Sequence, residues 1–459
     1  MNERIASIFV ENHAQCKADD RDIYILSPAL QFAVPGLGDT RVKSHMNTRY
    51  GTFLTGFLPR ILRFCNERKI LVNLIHNEKM PYVDYECDPH LDGIQFRKDQ
   101  SAAIHAVLMN DRGIILAPTG TGKTVVMAGV ISCYPSARWL VVSHTSSLIL
   151  QTAEELKKYG LKSVGIVGAG TKGFDFNNHI TVGTRQKIAQ LKATALRRLK
   201  IDGIVIDEAH HVVSTSGEYA HILKNLPNTC VRIGFTATLP TTHEKLLAME
   251  GLLGPVISEL TWERAAEMDI LARPKVIIRR VPTNSTHAKI HNFRVAYLTC
   301  VVENRSFHRL VISDLNDLLQ RDLTVLILVI ELEHAYQLIE MAAKLFNIDL
   351  VFVHGGISAS EKDHIRKNFT ARKIRCVVAT TSWREGINIP TLGAVQLVGQ
   401  GKSELKLLQE VGRGLRKTSD KKHVLIYDYF NPNNRNLIAQ FGERLCLYMD
   451  RKWLSGMEE

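Results

Sequence analysis

Ala117-Pro118-Thr119-Gly120-Thr121-Gly122-Lys123-Thr124 is the stretch that decides the fold. It follows an apolar run, Gly113 to Leu116, and precedes a helical run starting near Val125. A glycine-rich turn between a strand and a helix is a phosphate cradle. Gly120 and Gly122 permit a backbone whose N–H groups, with those of Thr121, point inward at the positive end of the following helix. Lys123 is placed to neutralise β and γ phosphates, and the Thr124 hydroxyl to ligate Mg²⁺. The first position is Ala117, where the general pattern has Gly.

Downstream, Ile204-Val205-Ile206 runs into Asp207-Glu208-Ala209-His210. Two adjacent carboxylates at a strand end need a cation. Asp207 is therefore read as a holder of the Mg²⁺ shell, and Glu208 as the group that orients and deprotonates an attacking water. Together the two segments predict ATP hydrolysis with Mg²⁺.

Outward from the phosphate turn, short β-branched runs alternate with helical stretches, the signature of parallel sheets with crossover helices. The first set is Gly113–Leu116, Trp139–Ser143, His179–Val182, Gly203–Ile206 and Val231–Phe235. The second is Leu323–Ile330, Leu350–Val353, Ile374–Ala379, Ala394–Val398 and His423–Tyr427. Two series predict an α/β protein with two tandem doubly wound parallel-sheet lobes. The join is placed between Glu267 and Asn304, where Arg273, Pro274, Pro282 and polar residues break the apolar rhythm. The resulting division is 1–88 as a small α+β N-terminal domain, 89–270 as the ATP-binding lobe and 271–459 as the second lobe.

The 459 residues carry a net charge of +12, which favours a polyanionic partner through counterion release. No apolar run approaches the roughly 18 to 20 residues of a membrane span, and no export signal opens the chain, so a cytoplasmic location without membrane contact is expected. The 8 cysteines are scattered without a CxxC pair, which argues against a zinc site or a disulfide framework and predicts buried thiols.

Asp207-Glu208-Ala209-His210 resembles the DEAH form of motif II of superfamily 2 helicases, and other segments resemble the remaining motifs in order. Phe96 to Gln100 is similar to the Q-like element, which makes Gln100 an adenine contact by resemblance. Ser143 to Gln151 and Val182 to Gln186 resemble the two elements that track a nucleic-acid strand, implying contacts from Thr184 and Gln186. Thr236-Ala237-Thr238 resembles motif III, which with His210 relays nucleotide state; Val353 to Gly356 resembles motif IVa. Ala379 to Pro390 resembles motif V, implying a DNA contact at Thr380 and coupling through Gly386 and Asn388. The usual Asp is Asn388 here, which keeps hydrogen bonding but loses charge.

Leu408 to Arg416 resembles motif VI, with Gln409 in coupling and Arg413 and Arg416 as phosphate sensor and arginine finger. Two arginines three residues apart share a helix face. Their forked, permanent charge suits a transferring phosphoryl group. The resemblance implies two RecA-like lobes.

The stretch from Arg41 to Cys65 resembles the small DNA-binding domain of UvsW-type phage branch-migration helicases. That likeness implies 3′ to 5′ movement on branched DNA: forks, Holliday-type junctions and R-loops, where RNA is present. Lys43, Arg49, Arg60 and Arg63 are the expected phosphate contacts, because Arg41 to Lys69 holds a single acid, Glu67. Tyr50, Phe53, Phe57 and Phe64 are interleaved with them, either as core or as stacking platforms for bases. The motor motifs do not separate DNA from RNA, so an RNA-directed remodeller and a motor subunit of a larger DNA-processing complex stay open as alternatives.

Overall fold

The computed structural model describes residues 5–35, 40–171, 173–271, 273–283, 290–380, 391–399, 423–450 and 453–454. The chain divides into two compact units, the first running to Thr261 apart from Thr119–Thr121, and the second from Trp262, with which Thr119–Thr121 is grouped.

The first unit opens with a small α+β module. Its strands are β1 (Ile5–Val10), β2 (Gln15–Ala18), β3 (Gln31–Pro35), β4 (Thr40–Ser44), β5 (Thr52–Leu54) and β6 (Leu71–His76). Four of them form a sheet in the order β5-β2-β1-β6, with β6 parallel to β1, while β3 and β4 pair as a hairpin. Helix Leu58–Glu67 closes the module. Pro59 sits in its first turn, where a missing N–H costs nothing, and Ile61 and Cys65 face inward one turn apart. Phe53 and Phe57 are core residues, whereas Tyr50 is exposed.

The rest of the unit is a RecA-like lobe. Its strands are β7 (Arg112–Leu116), β8 (Trp139–Ser143), β9 (Val164–Val167), β10 (Ile180–Thr184), β11 (Gly203–Asp207), β12 (Val231–Thr236) and β13 (Val256–Glu259). All seven are parallel, in the order β13-β7-β12-β11-β8-β10-β9. A sheet covered on both faces reads as unbroken apolar runs, and β8, β10 and β12 are buried at every position.

The module and the lobe share a tightly packed seam within this unit. A Cβ on Gly56 would meet the Glu250 carbonyl oxygen at 2.3 Å, and one on Gly251 would meet the Phe57 ring at 2.5 Å. The turn leading into helix Leu58–Glu67 thus approaches helix His243–Leu253 at glycine distance. Arg112 donates to the carbonyls of His13 and Leu253 across the same seam. Nearby Arg232 is fully buried and hydrogen-bonded to the carbonyl oxygens of Thr229, Leu223 and Leu226. Burial holds its pKa well below the ordinary arginine value.

The second unit is another RecA-like lobe. Its strands are β14 (Arg273–Arg280), β15 (Thr324–Val329), β16 (Val351–Val353), β17 (Cys376–Thr380), β18 (Leu392–Leu397) and β19 (His423–Phe430), all parallel, in the order β14-β19-β18-β15-β17-β16. Arg273 to Arg280, read from sequence as part of an irregular join, is a full strand beside β19. A fully buried ion pair fastens helix Arg435–Asp450 to β19. Arg444 binds both oxygens of Asp428 at 2.7 and 3.0 Å, and the Tyr448 hydroxyl adds a third donor at 2.6 Å. With the Tyr429 N–H at 2.7 Å as a further donor, the carboxylate is satisfied without water. Six of the cysteines are buried, but Cys87 and Cys446 are exposed, contrary to the reading of all eight as buried thiols.

Candidate active site

Sheet order explains why the motifs meet. β7, β12, β11 and β8 are consecutive neighbours, all parallel, so the phosphate turn, Thr236, Asp207 and Ser143 all emerge at the same carboxyl edge. In a doubly wound sheet that edge is where ligands bind.

Gly120 and Gly122 adopt φ of +85° and +89°, the left-handed region that the turn demands. Helix Lys123–Ser132 starts directly after Gly122. Lys123 Nζ donates to the Ala117 carbonyl at 3.3 Å, folded back over its own loop. Gln100 is buried against this turn: its Nε2 lies 2.7 Å from where a Gly122 Cβ would stand. Its Oε1 accepts from the Arg97 N–H at 3.1 Å and so caps helix Lys98–Asn110. Gln100 thus ties the helix start to the phosphate turn. Phe96 packs on helix Lys123–Ser132, where a Cβ on Gly129 would meet its ring at 2.9 Å.

Opposite stand Asp207 and Glu208. Glu208 has φ +50°, a left-handed turn in which its own N–H donates to Asp207 Oδ1 at 3.0 Å. Burial, and then the charge of Glu208, push the Asp207 carboxyl above its ordinary pKa. Burial also opposes ionisation of Glu208, but the Lys123 ammonium and the hydrogen bond from His210 outweigh it and hold this carboxyl below the ordinary range. Two carboxylates against one lysine leave an excess of negative charge, which fits a divalent cation held by Asp207 and the Thr124 hydroxyl.

His210 connects this pair to β12. Its Nδ1 lies 3.3 Å from Glu208 Oε2 and 3.1 Å from Thr236 Oγ1. Thr236 Oγ1 in turn donates to the Thr238 carbonyl at 2.9 Å. The residues read as coupling elements, His210, Thr236 and Thr238, therefore form one hydrogen-bonded chain to the acid beside the phosphate turn.

Sequence reasoning missed the rings behind His210. His211 packs on it at 4.3 Å between centroids, and His144, just after β8, packs on His211 at the same distance. No motif spacing flags them, because His144 meets His211 only through the β11–β8 neighbour relation.

The expected nucleic-acid contacts divide. Lys43, Arg49, Arg63 and Gln186 are exposed. Arg49 covers the Tyr50 ring at 5.3 Å, and Arg68 the Phe64 ring at 3.8 Å. Arg60, expected at a phosphate-facing surface, is instead clamped to Glu250, with Nε and Nη2 at 2.9 and 2.5 Å from its two oxygens. A partner remote in sequence already neutralises its charge. Thr184 is buried, and its hydroxyl caps the next helix by accepting from the Lys187 N–H, so it does not present itself to solvent. Thr380, at the end of β17, is likewise buried. Gly386, Asn388, Gln409, Arg413 and Arg416 lie outside the described residues.

Among the described residues, no helix is long and apolar enough to cross a membrane.

Two family profiles match: the res subunit of type III restriction enzymes over residues 93–241, and the helicase conserved C-terminal domain over residues 310–418. The chain belongs to the superfamily 2 helicases, a class of ATP-dependent motors on nucleic acid. Within that class it is similar to the ATP-dependent DNA helicase uvsW of Enterobacteria phage T4, 22% identical over 440 residues that span 89% of this chain and 84% of the relative. The DNA 3'-5' translocase XPB2 of Sulfurisphaera tokodaii is 28% identical over 374 residues, covering 73% of this chain and 81% of that protein. Among solved structures, S. cerevisiae Dbp5 bound to RNA and ADP BeF3 shares the fold with a TM-score of 0.54 at 18% identity, over 77% of this chain and 88% of that one.

Proposed function

We propose that this protein is an ATP-dependent DNA helicase or translocase that remodels branched DNA, moving 3′ to 5′ along one strand. The observation that carries the proposal is the single hydrogen-bonded site joining Glu208, His210 and Thr236 opposite Lys123 at one sheet edge. Lys123, released from the Ala117 carbonyl, binds the terminal phosphates together with the N–H groups of the Gly120 to Thr124 turn. Glu208, ionised and oriented by His210, accepts the proton of the attacking water. Asp207 and the Thr124 hydroxyl would hold a Mg²⁺, which when bound would supply charge neutralisation at the phosphate oxygens. His210 and Thr236 hold the Glu208 carboxylate in place through turnover. Arg413 and Arg416 are proposed as the cations that complete the site.

The names of the uvsW and XPB2 relatives support the choice of DNA, while the net charge of +12 and the exposed bases Lys43, Arg49 and Arg63 on the N-terminal module support a nucleic-acid partner of either kind. Replacing Lys123 by Ala, or Glu208 by Gln, is expected to lower DNA-stimulated ATP turnover by at least about 10²-fold. Near-normal turnover in either protein refutes the site. Substrate choice is read by comparing turnover on matched DNA and RNA forks, four-way junctions, R-loops and linear duplexes at fixed salt. Preference for RNA duplex would replace the DNA reading with the RNA-directed one.

A further inference from the structure

We infer that His144 and His211 are positioning residues that transmit nucleic-acid engagement to the Glu208 carboxylate. The inference rests on the proposal above, together with the reading of Ser143 to Gln151 as a segment that tracks a nucleic-acid strand.

The path is continuous. His144 directly follows β8 and precedes helix Ser146–Lys158, whose first turn exposes Ser146 and Ser147 to solvent. Its ring contacts His211 at 4.3 Å and 46°, His211 contacts His210 at 4.3 Å and 35°, and His210 reaches Glu208 and Thr236. All three rings are only partly exposed and stand at the ends of two neighbouring strands, β8 and β11. Close-packed aromatic rings do not compress, so a shift of the backbone at His144 or Thr145 is passed on as a tilt of the stack. At its far end the stack meets a hydrogen bond whose geometry sets where the Glu208 oxygens point. A sub-ångström change there suffices, because general-base catalysis depends steeply on the distance to the proton being taken.

This gives His211 a role that the spacing of Asp207-Glu208-Ala209-His210 does not assign. It also makes the coupling depend on ring shape rather than on charge. Substitution by Phe is therefore expected to preserve it, and substitution by Ala to break it.

The test uses the full chain and four variants: H144A, H144F, H211A and H211F. Three quantities are read for each: the ratio of ATP turnover with saturating DNA to turnover without it, the DNA concentration giving half-maximal stimulation, and DNA affinity without nucleotide. Both Ala variants should lose about tenfold in the stimulation ratio, a coupling of about 1.4 kcal/mol. DNA affinity and half-maximal concentration should stay within about twofold, and both Phe variants should recover the ratio to within about threefold.

Full stimulation in H144A and H211A overturns the inference. A parallel loss of affinity and stimulation overturns it too, since His144 would then be a direct nucleic-acid contact. Phe variants as impaired as Ala variants, with lowered thermal midpoints, reduce the stack to packing. If the unmodified protein shows no stimulation by any nucleic acid, the functional proposal fails first and the coupling falls with it.

Discussion

Gly122 is constrained twice. Its φ of +89° costs an L side chain about 1 kcal/mol or more, and a methyl group there would press on Gln100 Nε2 at 2.7 Å. Gly122→Ala is therefore expected to reduce ATP affinity at least about tenfold and to lower the melting temperature; ATP titration followed by calorimetry checks both. A second residue carries pH dependence. Burial holds His13 at a pKa of about 4, although its Nε2 bonds the Pro81 carbonyl at 2.9 Å. The folded value lies below the unfolded one, so the unfolded chain binds the extra proton. Stability is fully present above about pH 6.5 and drains as the pH falls toward 4. His13→Gln should flatten that slope, with a difference of roughly 2 kcal/mol in denaturant titrations at about pH 7 and pH 4.5. An unchanged slope would mean that other groups, such as His334 held at about 3 by burial, dominate.

At the scale of elements, the helix pair Leu58–Glu67 and His243–Leu253 decides how the N-terminal module is carried. Arg60→Ala leaves the buried carboxylate of Glu250 without its cation and is expected to cost about 1 to 3 kcal/mol. A double-mutant cycle with Glu250→Gln should show coupling above roughly 1 kcal/mol, and strict additivity would argue against the clamp. This is also where the sequence misled. A run of bases with a single acid looks like a phosphate-binding face, and nothing local reveals that Arg60 finds Glu250 in another helix. The central strands were legible because burial on both faces imposes long apolar runs. Three strands of the motor sheets were not: β9, β13 and β14. All three are the end strands of their sheets, where charges or proline are tolerated, as in Arg273-Pro274-Lys275. The phosphate turn and the acid pair were legible because their chemistry is contiguous in sequence. The histidine stack was not, because it exists only across neighbouring strands.

For the whole molecule, net charge makes nucleic-acid binding a matter of salt. With Arg60 engaged internally, Lys43, Arg49 and Arg63 remain the exposed bases of the module among those expected to meet phosphate. Changing all three to Gln should lower the slope of log affinity against log salt by about 0.9 for each phosphate no longer neutralised, while DNA-free ATP turnover is retained. A slope equal to that of the unmodified protein would move the duplex-binding surface elsewhere. The order of strands in the second lobe has a further consequence, for synthesis on the ribosome. β14 is the first strand of its sheet to be made, and its neighbour in that sheet is β19, the last of the six. Until β19 emerges, β14 has no strand of its sheet to join, so its Val276-Ile277-Ile278 segment waits through the translation of the strands between them, and a chaperone that shields it would have its window there.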